Sequence, residues 1–174
     1  MIAGFREKAS KDYPTVKKIF DKHGVKFFAF CGTALGAVRE KDFIDWDYDF
    51  DLATIGPWPF EKRHAVAEDF RAHGFDVVHR NPTTDGNIWF QRNVHGDIYW
   101  FRKQQGFYTY TLDDGIVSLK IPEKYFKKFI RKKLGDSDIL VPDPPEPYLV
   151  ATYGEDWRTP KEVQQGKFFF ESEE

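Results

Sequence analysis

The chain has little of what disulfide-bonded, strongly charged or membrane-spanning proteins require. Its single cysteine, Cys31, excludes an internal disulfide bond and indicates a reducing compartment, most simply the cytoplasm. The formal net charge is only -2, so no global electrostatic attraction favours a nucleic-acid or membrane partner. No apolar run approaches the roughly eighteen residues of a membrane span, and the N-terminus carries charges too early for a secretory signal. We therefore expect a protein that acts in solution.

The chain does have enough apolar material for a core of ordinary size. It is 174 residues long, with 41% hydrophobic and 18% aromatic residues. A chain of this length buries a substantial core without help from disulfide bonds. No internal repeat or long linker divides it, so we expect one domain over residues 1–174.

The spacing of apolar residues between glycine and proline breaks predicts several helices and strands. Helical spacing appears in residues 11–24, 33–40 and 60–74, with Thr33 or a neighbour as the N-cap of the second helix. Short runs of apolar, β-branched or aromatic residues predict strands at residues 25–32, 75–80, 87–93, 97–103 and 106–112. Residues 122–133 and 141–160 predict two more helical pieces joined by a proline-rich connection. This order is typical of an α+β domain with a mixed β-sheet.

The segment DWDYDFDLA, residues 45–53, carries an aspartate at every second position: Asp45, Asp47, Asp49 and Asp51. On a β-strand these side chains would all point to one face. Aspartate is disfavoured in strands, and such a row repels itself unless cations lie between its members. Alternatively, the aspartates only form the solvent-exposed face of a half-exposed strand and have no function. We favour a site for a hard divalent cation, because two carboxylates at positions i and i+2 can share one ion.

Two other segments supply further parts of a site for phosphoryl or nucleotidyl transfer. Asp97 lies among apolar residues in NVHGDIYWF, where a carboxylate is costly without a partner, so it is the candidate third ligand. Gly32 and Thr33 follow an apolar strand and open a helix, whose N-terminal N–H groups favour an anion. Glycine before a helix is also ordinary turn chemistry, and only the nearby aspartates favour the phosphate interpretation.

Residues 32–53, GTALGAVREKDFIDWDYDFDLA, resemble the signature of the LicD and fukutin family, a branch of the nucleotidyltransferase superfamily. That signature runs from glycine and threonine through a second glycine and an arginine to a tryptophan followed by alternating aspartates. Residues 96–101, GDIYWF, and 147–160, PYLVATYGEDWRTP, are similar to later elements of the family. The chain departs from the usual pattern at Glu40, Asp42, Asp45 and Tyr48. The resemblance implies a nucleotidyltransferase-like mixed β-sheet flanked by helices.

The resemblance also implies an activity and a set of catalytic residues. The implied activity is transfer of phosphocholine or a polyol phosphate from a CDP-linked donor to a glycan hydroxyl. This phosphotransferase reaction would need Mg²⁺ or Mn²⁺ as a cofactor. Asp49 and Asp51 would be the metal-binding pair, and Asp47 an additional or outer ligand. Asp97 would hold a second ion and take the proton of the acceptor.

The donor would be bound by residues on the other side of the metals. By the resemblance, Gly32 and Thr33 would cradle the diphosphate, and Arg39 would clamp a phosphate oxygen with its planar guanidinium. Trp157 and Arg158 are candidates to stack on the base and contact a phosphate. A packing role fits Trp157 equally well, and Arg39 on a short helix is otherwise an ordinary surface residue.

Two other classes of function share part of this pattern. A small nucleotidyltransferase that transfers a nucleoside monophosphate to a protein, a small molecule or an RNA end needs the same carboxylates and glycine turn, but not the Asp-Trp-Arg-Thr-Pro tail. A non-catalytic nucleotide-binding domain on the same fold is less favoured, because Asp49, Asp51 and Asp97 are all retained. The basic cluster in residues 127–133 could attract an anionic donor or acceptor, but it is expected on the solvated face of a helix, with Phe126, Phe129 and Ile130 inward. His95, two residues before Asp97, could assist proton transfer, but it is expected in a turn.

Overall fold

The computed structural model describes residues 4–79, 88–111 and 117–161. Its helices are α1 (Phe5–Lys22), α2 (Cys31–Arg39), α3 (Phe60–Ala72) and α4 (Pro145–Tyr153), with a 3-10 helix at Glu123–Phe126. Its strands are β1 (Phe27–Ala29), β2 (Asp49–Ile55), β3 (Asp76–His79), β4 (Ile88–Gln91), β5 (His95–Gln104), β6 (Phe107–Thr111), β7 (Val117–Pro122), β8 (Phe129–Leu134) and β9 (Ser137–Pro142). None of the described helices is both long and apolar enough to cross a lipid bilayer. The predicted domain over residues 1–174, and the predicted strand ends Arg80, Asn87 and Leu112, extend outside the described residues.

The described strands form a seven-stranded mixed sheet and a separate two-stranded hairpin. The order β1-β2-β5-β4-β3 runs across the large sheet, and β6 pairs with both β5 and β7. Only β2 and β5 pair in parallel; the other pairs of the large sheet are antiparallel. The predicted α+β class with a mixed, helix-flanked sheet is confirmed.

One face of the sheet is covered by α1 and α3. The buried positions of α1 recur every three or four residues, so the helix presents one apolar stripe to the sheet. Aromatic rings make most of the contact: Tyr13 of α1 lies 6.3 Å from Phe50 of β2, measured between ring centroids. Phe70 of α3 lies 4.9 Å from Phe90 of β4 by the same measure. Many of the aromatic residues of the sequence therefore pack in this core.

The opposite face is covered only in part, by the C-terminal half of the chain. Phe30, after β1, packs against Tyr148 of α4 and Phe126 of the 3-10 helix, at ring distances of 6.1 and 6.4 Å. Beside these rings, Asp49 and Asp97 are only partly buried. The second face thus combines an aromatic wall with an acidic patch, and this arrangement positions the candidate site.

The prediction of a helix over residues 122–133 is wrong. Only Glu123–Phe126 is helical, in one 3-10 turn, and Phe129–Leu134 forms β8, paired antiparallel with β9. The spacing of Phe126, Phe129 and Ile130 suits a helix locally, but the Gly135 turn (φ 61°) lets the apolar segment SDILVP pair with this stretch. Ile130 is 39% exposed, contrary to the inward position expected for it. The basic side chains of the cluster are mostly exposed, as expected.

Two predicted boundaries also move. The helix expected to begin at Thr33 begins two residues earlier, since α2 starts at Cys31 and Phe30 is its N-cap. The strand expected over the acidic run starts at Asp49, because a turn closes before it with Asp47 N–H donating to Ile44 O at 3.2 Å. α4 ends at Tyr153, well inside the predicted helical stretch 141–160, and Gly154 after it takes a φ of 89°.

Candidate metal centre and donor site

Three aspartates meet where β2 and β5 lie side by side. In the parallel register, Asp51 is opposite Asp97 and Asp49 is opposite His95. Partners in a sheet point to the same face. One carboxylate oxygen from each of Asp49, Asp51 and Asp97 lies within 4.8 Å of the others. Oxygens that share one divalent ion at about 2.0–2.6 Å are separated by less than about 5 Å, so this acidic triad has the size of a cation site.

The two other aspartates of the run are placed differently. Asp45 is exposed in the turn before β2, so the predicted single row of four carboxylates is wrong at that position. Asp47 is half-buried, also before the strand, and its charge contributes to the electrostatics of Asp49. Asp47 therefore lies beside the acidic triad without sharing its strand.

Burial, with repulsion between neighbouring carboxylates at Asp49 and Asp51, raises the pKa of Asp47, Asp49 and Asp51 above the ordinary value. Burial, with added repulsion from Asp47 and Asp97, raises the pKa of Asp49 to about 7. Burial and then the charge of Asp49 raise the pKa of Asp51 well above its ordinary value. Burial raises the pKa of Asp47 to about 6, against a backbone hydrogen bond from Tyr48. A nearby cation would reverse these shifts by favouring the charged forms.

The donor set of the triad fits a hard divalent ion. Across the residues that the structure describes, Asp49 and Asp51 make no ion pair with lysine, arginine or histidine. Tyr99 hydrogen-bonds to the Asp51 carboxyl, and burial followed by the charge of Asp51 raises the pKa of this tyrosine, so that it remains a protonated donor. Clustered carboxylate oxygens without a protein cation are the ligands that Mg²⁺ and Mn²⁺ take.

The turn between β1 and α2 is tied directly to the strand that carries the triad. The Thr33 hydroxyl oxygen accepts a hydrogen bond from the Asp51 N–H at 2.9 Å, and Thr33 is 3% exposed. The Phe30 N–H donates to the Asp51 carbonyl at 3.1 Å. Thr33 was predicted to contact a phosphate; here its hydroxyl holds the backbone of a triad residue in place. The predicted phosphate contact stays a prediction.

Gly32 leaves room for an anion at the N-terminus of α2, and an aspartate uses that room. A Cβ on Gly32 would lie 2.5 Å from the Asp47 Oδ2, so the carboxylate approaches the backbone more closely than any side chain allows. Asp47 thus stands where the sequence predicted a phosphate. Because both are anions, a donor phosphate at this position would have to displace or share the place of Asp47.

Cys31 connects this turn to α4. Its backbone takes a φ of 40°, and its N–H donates to the Tyr148 hydroxyl at 3.1 Å. Burial, followed by the charges of Asp51 and Asp49, raises the pKa of the Cys31 thiol, which therefore stays protonated at neutral pH. Cys31 is a packing residue beside the triad.

The remaining predicted donor residues gather at the other end of α2. Arg39 donates to the Trp157 carbonyl at 3.2 Å and pairs with Glu40 at 3.0 Å, and its side chain is 8% exposed. Trp157 is 2% exposed, and the exposed Arg158 lies 4.2 Å above its ring. At about 1.5 Å per residue, Arg39 lies about 9 Å along the helix from Thr33. The structure thus gives Arg39 and Trp157 packing contacts with each other, and their predicted contacts with the donor stay predictions.

Two residues that the sequence did not single out, Trp89 and Tyr99, face the triad together with His95. His95 opens β5 and does not lie in a turn, so that expectation is wrong. Its Nε2 is 3.0 Å from the Asp97 Oδ2, and Trp89 Nε1 donates to its Nδ1 at 3.2 Å. The alternation of DIYWF could have indicated that Tyr99 shares a face with Asp97. Nothing local places Trp89 there, because that depends on the β4–β5 register.

Comparisons with known proteins agree with this architecture. A sequence model described as "LicD/FKTN/FKRP, nucleotidyltransferase domain" matches residues 24–143, which contain the acidic triad. No curated protein matches the chain significantly. A lincomycin-bound crystal structure of the lincosamide antibiotic adenylyltransferase LnuA superposes with a TM-score of 0.54, at 14% identity over 79% of this chain and 84% of that chain. A crystal structure of ANT(2")-Ia in complex with adenylyl-2"-tobramycin gives a TM-score of 0.43, at 14% identity over 64% and 67% of the two chains. The LnuA similarity shows a shared fold.

Proposed function

The chain belongs to the LicD/FKTN/FKRP nucleotidyltransferase family, a family of transferases, and we propose that it transfers a phosphorylated alcohol, such as phosphocholine or a polyol phosphate, from a CDP-linked donor to a glycan hydroxyl. The observation that carries the proposal is the convergence of Asp49, Asp51 and Asp97 from two adjacent parallel strands. Such a cluster of like charges costs stability in the metal-free protein, and a metal-dependent reaction gives a reason for retaining it.

The proposed roles follow from the position of each carboxylate. Asp49 and Asp51 would hold Mg²⁺ or Mn²⁺ between them, with Asp47 as an additional ligand. Bound divalent ions supply charge neutralisation for the phosphate oxygens and activation of the attacking hydroxyl. Asp97 lies on the neighbouring strand, opposite Asp51 on one side and Trp89 on the other, and it would hold a second ion and take the proton of the acceptor hydroxyl.

The donor side is proposed to lie along α2. Gly32 and Thr33 are at its N-terminal end, where backbone N–H groups favour the diphosphate. Arg158 is exposed and sits over Trp157, so it is the member of the distal cluster that can meet a donor phosphate without rearrangement. Arg39 and Trp157 would act by keeping that segment in place, or would need to open to reach the donor. The expected cytoplasmic location, the glycan acceptor and the absence of a nucleic-acid partner stay predictions.

A screen of CDP-linked donors tests the proposal directly. The purified protein would be incubated with CDP-choline or CDP-polyols, a panel of soluble glycans and Mg²⁺ or Mn²⁺, and CMP release would be measured. We expect release that needs both metal and acceptor. Asp51→Asn should lower it by about a thousandfold, since the change removes a metal ligand and its charge. Absence of release with every donor, or release that Asp51→Asn leaves unchanged, would contradict the proposal.

The packing of Arg39 and Trp157 favours keeping one alternative, transfer of a nucleoside monophosphate. Neither side chain is open to select a cytidine base in the described structure. Thermal stabilisation by CDP, CDP-choline, ATP, GTP and UTP, each with and without Mn²⁺, separates the two activities. Preference for the CDP compounds supports the CDP-linked donor. An equal response to all triphosphates would favour the general nucleotidyltransferase, and a response that needs no metal would favour a nucleotide-binding domain without catalysis.

A further inference from the structure

A chain of hydrogen bonds leads from Trp89 through His95 to Asp97. Trp89 Nε1 lies 3.2 Å from His95 Nδ1, and His95 Nε2 lies 3.0 Å from the Asp97 Oδ2. The indole ring packs edge-on against the imidazole, with ring centroids 4.8 Å apart and an interplanar angle of 65°. Cross-strand register sets this up, because Trp89 is opposite Asp97 in the β4–β5 pair.

The partners of His95 determine which of its nitrogens carries the proton. An indole N–H can only donate, so His95 Nδ1 must accept from Trp89. The neutral imidazole then has its one hydrogen on Nε2, which donates to the Asp97 Oδ2. Trp89 thus selects the tautomer that binds Asp97. The opposite tautomer would place one lone pair against the carboxylate and two hydrogens between Trp89 and His95.

We propose that His95 is a positioning residue, which orients the Asp97 carboxylate toward the proposed ions, and that Trp89 fixes the tautomer that does so. The hydrogen bond takes up one lone pair of Oδ2. One oxygen of the same carboxylate lies within 4.8 Å of an oxygen from each of Asp49 and Asp51. Because the imidazole donates as a neutral ring, it orients Asp97 without adding a positive charge next to the ions. Hydrogen-bonding partners of metal-ligating carboxylates typically change metal affinity by about 10–100-fold.

Two features distinguish this role from simple packing. The His95 side chain is 32% exposed, so water can satisfy its nitrogens and the fold has little need of these hydrogen bonds. His95 is also opposite Asp49 in the β2–β5 register, on the face that carries the triad. His95 therefore contacts both Trp89 and Asp97 and is the cross-strand neighbour of Asp49. A change in its orientation should affect the candidate metal site more than the packing of the core.

The inference rests on the proposed metal-dependent function, and Mn²⁺ binding by the full chain tests it without any substrate. Affinity for Mn²⁺ alone would be measured by isothermal titration calorimetry or by the loss of the electron paramagnetic resonance signal of free Mn²⁺. We expect His95→Leu to weaken binding about tenfold or more. His95→Gln should stay within about threefold of the wild type, because the Gln amide can place a donor near the position of Nε2. Trp89→Phe keeps the ring but loses the N–H, and we expect an intermediate loss.

His64→Leu is the matched control, since His64 lies on the exposed side of α3 and contacts Phe60 and Glu68 rather than the triad. It should bind Mn²⁺ as the wild type does, and melting temperatures without metal should be similar for the wild type and the histidine and tryptophan variants. If the wild type takes up no Mn²⁺, or if Asp51→Asn binds it equally well, the proposed function fails and the inference with it. If Asp51→Asn loses binding while His95→Leu keeps it, only the inference fails. Equal losses in His95→Leu and His95→Gln would also overturn it, because the donated hydrogen bond would then not be the cause.

Discussion

Two buried carboxylates of this protein have opposite surroundings. Asp12, on α1, is fully buried and accepts hydrogen bonds from the Arg92 guanidinium, the Asn93 amide and the backbone N–H groups of Asn93 and Val94. Asp51 is 7% exposed, and its nearest charged neighbours are other carboxylates. Both side chains lose water on folding. Asp12 recovers four hydrogen bonds and a countercharge from the protein, whereas Asp51 gains a hydrogen bond from Tyr99 and is surrounded by like charge.

The difference indicates which carboxylate serves the fold and which serves a ligand. The Asp12 contacts fasten α1 to the turn between β4 and β5, directly before His95 and Asp97. A structural carboxylate is expected to lose stability when it is removed. A carboxylate kept for an ion is expected to do the reverse in the metal-free protein, because its removal relieves repulsion. Substitutions at the two places therefore should change stability in opposite directions.

The largest effect on stability is expected from Asp12→Ala. This change removes the acceptor of four hydrogen bonds and leaves Arg92 and two backbone N–H groups without it. We expect a loss of about 3 kcal/mol in the free energy of unfolding, the usual scale for breaking a buried ion pair from one side. At about 2–4 °C per kcal/mol for a chain of this size, the melting temperature should fall by roughly 6–12 °C. Urea unfolding measures the free energy and a thermal melt measures the melting temperature, and a loss below about 1 kcal/mol would contradict the structural role.

The second prediction is that Asp49→Asn stabilises the metal-free protein at pH 8. The folded-state pKa of Asp49 is about 7, above its ordinary value of 3.8, so folding binds a proton between these values. The stability that this proton provides is present at low pH and is lost as pH rises through about 7. After a discount for partial exposure and for coupling within the triad, we expect Asn to gain about 1–2 kcal/mol at pH 8 and less than half as much at pH 5, since the effect builds up from pH 3.8 to about 7.

Metal should reverse that order. Mn²⁺ at a hundred times its dissociation constant adds about 2.7 kcal/mol to a protein that binds it only when folded. At pH 8, Mn²⁺ should therefore stabilise the wild type, whereas Asp49→Asn, which lacks a metal ligand, should not be stabilised. Melting curves at pH 5 and pH 8, with and without Mn²⁺, measure all four values. An Asp49→Asn variant that is less stable than the wild type in metal-free buffer at pH 8 would place Asp49 with Asp12 as a structural carboxylate.

The same contrast explains what the sequence could and could not predict. The alternation that puts Asp49 and Asp51 on one face is a property of any strand, so it could be predicted locally. The parallel pairing of β2 with β5, and with it the place of His95 and Trp89, depends on contacts between segments far apart in the chain. Asp45 left the predicted row because a turn ends just before β2, and residues 129–134 became a strand because a distant segment pairs with them. Asp97 was predicted from its costly apolar context, which is again local.

The smallest effect tests whether the turn before α2 serves the triad or only the fold. Thr33→Val keeps the shape of the side chain but removes the oxygen that accepts the Asp51 N–H. A buried N–H left without a partner costs about 1–3 kcal/mol, and we expect about 1 kcal/mol here because the turn can adjust. Because the Asp51 N–H would lose its partner and only the carbonyl bond to Phe30 would remain, Mn²⁺ affinity should also fall, by about threefold to tenfold.

Thr54→Val is the matched control for this change. Thr54 is also buried on β2, but at the far end of the strand, where its hydroxyl donates to the Lys26 carbonyl at 2.8 Å. Loss of this Thr54 hydroxyl should lower the free energy of unfolding by a similar amount and leave Mn²⁺ affinity unchanged. If both variants lose stability equally and neither loses affinity, Thr33 belongs with Asp12 among the groups that build the fold. If only Thr33→Val binds Mn²⁺ more weakly, the hydrogen bond from Asp51 to Thr33 helps to hold the acidic triad in place. A general loss of stability would not explain that result, because Thr54→Val loses a similar amount of stability.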